Sequence, residues 1–421
     1  MGLKKNIRFI SVFLVTTVSL SIIAYQPSDV IIGGPTFPQL DYFIEELEVI
    51  SNDLGIEISY ETHSDIETYL IQNPNNKLDL AIIPNPQGVV NLGQRDIALP
   101  ITTFLEDEFI EASFSQHLQN ITTSKIDNNN YGAWFRLIPN SLIWYDVQKY
   151  NDIGSPTFNT YEEMIKFTSE NSFEERPLWC MDIESGASTG WIATNWLEDI
   201  ILHEYGPSVY DEWYQQEKLS SSEEITLSIL EIGKLIFIDD AIYGGNKRMV
   251  RKEFRNNYRN LLSDENTCTF SWSGHFASYY FPQDANYGTD YDFFKFPSAK
   301  NKNAMVGIGD VIIGLNSNKK TSSVMNILVS GEFGKTWMSK EDSQYIAANI
   351  DSNVDTLINP MTIKETNLIK ASLSEDLFRY DASELMERKI GADSLWYALM
   401  KYIELKSLYI EEVTEELDSS Y

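Results

Sequence analysis

Cysteine and histidine are scarce in this 421-residue chain: two cysteines, Cys180 and Cys268, and four histidines, His63, His117, His203 and His275. No two histidines stand at metal-ligand spacing and no cysteine lies beside them in a zinc-like pattern, so neither a metal nor a cofactor is expected. Positive charge is equally short, with 32 Lys and Arg against 62 Asp and Glu and a formal net charge of -30. A surface of that sign repels nucleic acid and anionic lipid, and most of its carboxylates read as a solvated face. Neither GxGxxG nor GxxxxGKS/T occurs, which argues against a phosphate-cradling loop. Beyond the first residues no stretch approaches the roughly 20 consecutive apolar residues of a membrane span. Internal repeats and low-complexity tracts are missing as well.

What is present suits a large globular chain. Hydrophobic residues make up 43% and aromatics 13%, and the length predicts two domains or lobes rather than one core. At the N-terminus, Lys4, Lys5 and Arg8 precede an apolar run from Phe9 to Ile23 that closes on Ala24. This pattern resembles a secretory signal peptide over residues 1–24, with an uncleaved anchor as the alternative, and predicts an exported protein. Val30–Ile32, Ile56–Tyr60 and Leu78–Ile83 read as strands. The helical spacing of Leu40, Phe43, Ile44, Leu47 and Ile50, with Asp41 as cap, and a second helix from Asp65, fill the intervals. Strand and helix alternating in this way predict a parallel sheet whose loops, including Gly33–Thr36 and Pro84–Gly88, face a ligand at the strand ends. Ser141–Tyr145 reads as a strand crossing between lobes.

The densest chemistry lies in Trp179–Ile200, where tryptophans, Asp182, Glu184 and the small residues Ser185–Gly190 run into a helix. Flat apolar faces, carboxylate acceptors and close-approach backbone suit a neutral, polyhydroxylated ligand. Within the stretch, Trp196, Leu197 and Ile200 read as the packing face, and Glu184, the Ser185–Gly190 loop and Trp191 as a cleft edge. Tyr243-Gly244-Gly245 permits close backbone approach, and Arg248 is the one member of the basic run after it kept as a ligand contact; the rest read as a solvated helix face. Gly309-Asp310 sits inside an apolar strand, Met305–Leu315. A buried carboxylate there must meet a ligand or fixed donors. Trp396, in the first turn of a helix from about Ser394, faces either a cleft or the core. The two cysteines either pair in an oxidising compartment or remain free and buried.

Several of these segments together resemble the carbohydrate-binding proteins of bacterial ABC importers (the family 1 extracellular solute-binding proteins), most closely their alpha-glucoside branch and more distantly maltose-binding protein. The segments are Trp179–Ile200, Tyr243-Gly244-Gly245, Cys268 with Trp272, Gly307–Asp310, Phe378–Met386 and Leu395-Trp396-Tyr397, with Pro156–Glu163 as a loose match. The resemblance implies an α/β, two-lobed type II periplasmic binding fold, with residues 27–138 and 310–360 in lobe 1, 142–305 and 365–421 in lobe 2, joined by crossing hinge segments. It further implies a monomer in the periplasm that takes a sugar and delivers it to a membrane permease, with no catalysis. Carried over position by position, Trp272 and Trp396 would stack on sugar rings. Trp191, Glu184 and Gln87 would edge the cleft, and Gly309, Asp310 and Asp381 would lie near it. Both cysteines match family positions, which implies a bridge. Asn195 departs from the aspartate common in the branch, as do Glu384 and Glu387 from its usual pattern, so the sugar's identity stays open. Two rivals remain. A glycoside hydrolase needs two carboxyl groups across the scissile bond, and a receptor of the same fold could take a polyamine or peptide.

Overall fold

The computed structural model describes residues 28–263, 267–405 and 410–419; the proposed leader lies outside them. Two hydrophobic cores organise the chain. The first is built on a six-stranded sheet whose strands are β1 (Val30–Gly34), β2 (Ile58–Thr62), β3 (Leu80–Ile83), β4 (Ala133–Pro139), β8 (Met305–Gly314) and β9 (Phe378–Tyr380). Their order is β2-β1-β3-β8-β4, with β9 paired to β8. As the alternating pattern predicts, β1 lies parallel to β2 and to β3, and helices Leu40–Leu54 and Ile66–Gln72 make the crossovers. Antiparallel β8 runs between β3 and β4.

Local signals explain most boundaries. Asp65 caps the second helix by accepting from Thr68 N at 2.9 Å, and Asn85 caps Pro86–Gln94 by accepting from Gln87 N at 2.8 Å, each meeting a backbone donor that the first turn leaves unpaired. Asp41 does not cap the first helix. That helix starts at Leu40 behind Gln39, which takes a left-handed φ of 62° and uses its side chain elsewhere, accepting from Trp337 Nε1.

The second core surrounds an antiparallel sheet made of β5 (Leu142–Asp146), β6 (Phe270–Ser273) and β7 (Tyr291–Lys295), with β5 in the middle. Helix Trp191–Tyr205 runs through this core with every residue from Ile192 to His203 buried. Trp196, Leu197 and Ile200 are fully enclosed, as the packing-face reading expected. Cys180 and Cys268 are joined in a disulfide across 88 residues, with Cα atoms 5.6 Å apart.

The lobes are joined where β4 passes into β5 at Asn140-Ser141, where the chain enters β8, and where β9 passes into helix Ala382–Leu385. Helix Pro360–Ser374 lies over this crossing and feeds both cores, Met361 into the second and Ile369 and Leu373 into the first. Among the described residues no helix is long and apolar enough to cross a membrane.

Candidate functional site

On the first lobe, the β4–β8 register places Asp310 opposite Arg136. Their side chains form a buried ion pair, and the Arg136 guanidinium also lies 4.2 Å from the Phe37 ring centroid. The fixed donor expected for a carboxylate inside this strand is therefore Arg136. Gly309 is needed beside it, because a Cβ there would sit 2.4 Å from the Arg136 carbonyl oxygen. Tyr60 stands close by; burial first, then the Asp310 charge, raises its hydroxyl pKa far above the ordinary range. At the end of β1, Tyr60 Oη donates to Pro35 O at 2.7 Å.

The second lobe answers with aromatic surface. A 3-10 turn, His275–Tyr280, packs against β4. From this turn Tyr279 projects into the field of Arg136, Glu365 and Asp310, and its hydroxyl is pushed up to about 12, chiefly by burial. From the same turn Phe276 meets Trp191 at 5.2 Å between centroids, and Trp191 meets Phe254 edge-on at 5.4 Å. Arg255 lies over Phe254 and Tyr280, 4.7 and 5.3 Å from their centroids. Gly190 precedes Trp191 with φ 110°, and a Cβ on it would lie 2.3 Å from Trp396 O. Only glycine meets both demands, the positive φ and the close approach. It locks the start of the Trp191 helix against the Lys389–Trp396 segment, which winds as a π-helix before Tyr397–Leu405. Trp396 is half-buried, and its Nε1 is buried without a protein partner among the described residues.

The sequence-derived residues divide accordingly. Trp191, Trp396 and Glu184 lie around the aromatic cluster of the second lobe, and Gly309 and Asp310 lie on β8 beside Arg136. Glu184 turns back on its own loop, accepting from Gly186 N at 2.8 Å, while its carbonyl accepts from Phe254 N. Trp272 is a correction: at 2% exposure it has no free ring face, being packed on Trp196 and Phe296 while its Nε1 donates to Asp199 at 2.7 Å. Asp381 is likewise turned inward. It accepts from Ser383 Oγ at 2.7 Å and Glu384 N at 3.2 Å, capping helix Ala382–Leu385. Arg248 pairs with buried Asp182 at 3.0 Å and lies over Tyr243. Gly244 and Gly245, both at φ 75°, line a separate cavity of about 570 Å³ on the second lobe. Gln87 lines a different interlobe groove together with Arg379 and Glu387.

No family model matches the chain. It is 24% identical over 376 residues to the alpha-glucosides-binding periplasmic protein AglE of Rhizobium meliloti, covering 87% of this chain and 80% of that one. To the osmoprotective compounds-binding protein GgtB of Synechocystis sp. it is 24% identical over 377 residues, covering 89% and 88%. Among solved structures it superposes on the bacterial solute receptor AcbH with a TM-score of 0.75 at 12% identity, covering 93% of this chain and 98% of that one. The chain has the two-lobed solute-binding-protein fold.

In this solute-binding fold the crossing segments are held by buried polar groups on helix Trp191–Tyr205. Ser141 donates to Asp199 and accepts from Val306 N, His203 Nε2 approaches Ala304 O at 3.1 Å, and Glu198 accepts from Ser383 N at 3.1 Å. Tyr210 Oη donates to Tyr380 O and accepts from Ala382 N. Burial pushes the Asp199 carboxyl up to about 7 against the donors Ser141 and Trp272. Glu198, fully buried beside Asp381, is raised further by burial and by that neighbour. Sequence reasoning missed Phe254, Phe276 and Tyr279. Phe254 was hidden in a basic run, and Phe276 and Tyr279 follow Trp272 without a periodic pattern that would set them apart.

Proposed function

We propose that the chain is an extracytoplasmic receptor that captures a sugar, an alpha-glucoside or related oligosaccharide, between its lobes and delivers it to the permease of an ABC importer. The observations that support this reading are, on one lobe, Trp191 packed on Phe276 and half-buried Trp396 held at the Gly190 turn, and on the other the Arg136–Asp310 pair, with Tyr279 in the field of both charges. Apolar sugar faces stack on Trp191 and Trp396, hydroxyls pair with Glu184 and Asp310, and each unmatched hydroxyl costs about 1–3 kcal/mol. A ligand touching both lobes favours the closed state, by the hinge closure through which periplasmic binding proteins in general work, and the permease reads that state. Support for the sugar class comes from the relative named for alpha-glucosides.

The lobes we assign are 27–138 with 310–360 and 142–305 with 365–421, the Pro360–Ser374 helix bridging them, in a monomer located in the periplasm. Capture involves no turnover. Glu198 and Asp381, a close carboxyl pair, are buried in the crossing and cannot flank a glycosidic bond. Titration calorimetry with α-linked disaccharides tests the reading. Trp396→Ala and Trp191→Ala should each weaken binding about tenfold or more, the loss of about 1.4 kcal/mol or more of stacking. Unchanged affinities in both variants refute the site.

A further inference from the structure

A groove of about 800 Å³ runs between the lobes, apart from the aromatic cleft. One wall comes from helices Pro86–Gln94 and Gln116–Ile121, which pack on the first core through Val89, Leu92 and Leu118; the other comes from Pro207–Tyr214 and the turn after it, anchored in the second core by Tyr210 and Trp213. On β9, Tyr380 Oη donates to Pro84 O at 2.9 Å, while its neighbour Arg379 points to the other face and lines the groove floor, as alternate residues of a strand must.

The lining is unusual for this chain. Acids outnumber bases by 62 to 32 overall, yet carboxamides are the most frequent side chains of the groove lining, among them Gln87, Gln94, Gln116 and Asn120 from one lobe and Gln215 and Gln216 from the other. Its buried charges are neutralised internally. Arg379 donates to Asp211 Oδ1 at 2.8 Å and to the Asp376 and Phe378 carbonyls at 2.9 Å each. His117 Nε2 accepts from Tyr380 N, and burial holds its pKa well below the usual range, so it is neutral. Tyr214 adds a ring to the same lining. Carboxamides both donate and accept, as hydroxyl groups do, and Lys125 and Arg379 offset two of the three lining acids, Asp211, Asp376 and Glu387.

We propose that this groove is a second site for a neutral polyol, weaker than the cleft and independent of its aromatic wall. Because Lys125 Nζ already reaches Gln215 Oε1 at 3.0 Å across the groove, a small polyol can touch both lobes at once.

The test is a titration of the isotope-labelled full chain with mannitol and with maltose, following side-chain amide signals by NMR. In the wild type and in Trp396→Ala alike, the amides of Gln94, Gln116, Asn120 and Gln215 should shift saturably, with a Kd on the order of 1–10 mM. Asn120→Trp, an exposed position, and Gln94→Trp on the neighbouring helix of the same wall should each fill the groove and abolish those shifts, while the Trp396 indole N–H response to sugar persists. A groove response that survives when no sugar perturbs Trp396 supports the groove and counts against the cleft reading instead. Shifts that vanish in Trp396→Ala would mean the groove only senses the cleft; those, or no saturable shift at all, overturn the proposal.

Discussion

Removing the Cys180–Cys268 bridge should destabilise the second lobe by an amount that its loop length sets. The bond closes 88 residues, and chain-entropy closure of that length contributes about 4.6 kcal/mol at room temperature. Both cysteines are 2% exposed within the second core, joining the segment that leads to Glu184 to the start of β6. The perturbation is Cys180→Ala with Cys268→Ala, read by scanning calorimetry. With an unfolding entropy of about 2.1 cal/mol/K per residue, a chain that melts as one unit would lose about 5 °C, and a second lobe that melts alone about 10 °C. The first lobe contains no part of the loop, so a separate transition of that lobe should stay in place. A shift below about 1 °C, or one confined to the first-lobe transition, would refute the reasoning.

Other substitutions separate packing from binding. Trp272→Ala should cost about 3–5 kcal/mol of stability, measured by urea denaturation, and a variant that instead loses only sugar affinity would restore its assignment to the cleft. Arg136→Met leaves Asp310 buried without its partner and should destabilise by about 3–5 kcal/mol, which Asp310→Asn in the same chain partly rescues; no rescue would contradict the pairing. Gly190→Ala meets both the φ of 110° and Trp396 O, so it should cost on the order of 1–3 kcal/mol and weaken sugar binding by displacing Trp396; wild-type behaviour in both assays would count against the lock. For pH, Asp199 has a folded pKa of about 7, raised above its unfolded value of about 3.9, so the folded state holds its proton longer and stability falls as pH rises from about 4 to 7. Glu198 and Asp381, also raised, act in the same direction. His203, lowered by burial to about 4, opposes them, since its folded state binds fewer protons between about 4 and 6.5. His203→Gln should therefore steepen the fall of the urea midpoint between those limits, and an unchanged pH profile would refute this balance.

Much of the architecture was legible because it rests on short-range signals. The β1–helix–β2–helix–β3 order followed from periodicity, and the cost of burying a lone carboxylate called for a ligand or fixed donors at Asp310, where Arg136 stands. The site was less legible, for reasons visible at particular residues. β6 is buried on both faces, so Trp272 reads the same whether it lines a cleft or fills a core; only its bond to Asp199, 73 residues away in sequence, tells the two apart. Gly190 is required by the Trp396 carbonyl, which no local pattern reveals. Phe254 is flanked by Glu253 and Arg255, whose charges hid an inward ring. Gln87 was placed correctly at a strand end, but the groove it lines is formed by a helix from the other lobe.

The most direct test of the central claim is calorimetric titration of the purified chain with α-linked disaccharides, the sugar being recovered afterwards and analysed. A sugar receptor of this kind should show saturable binding in the micromolar range or tighter, about -8 kcal/mol or beyond, with the sugar recovered intact. Absence of binding across the panel, or cleaved sugar in the recovered sample, would contradict it.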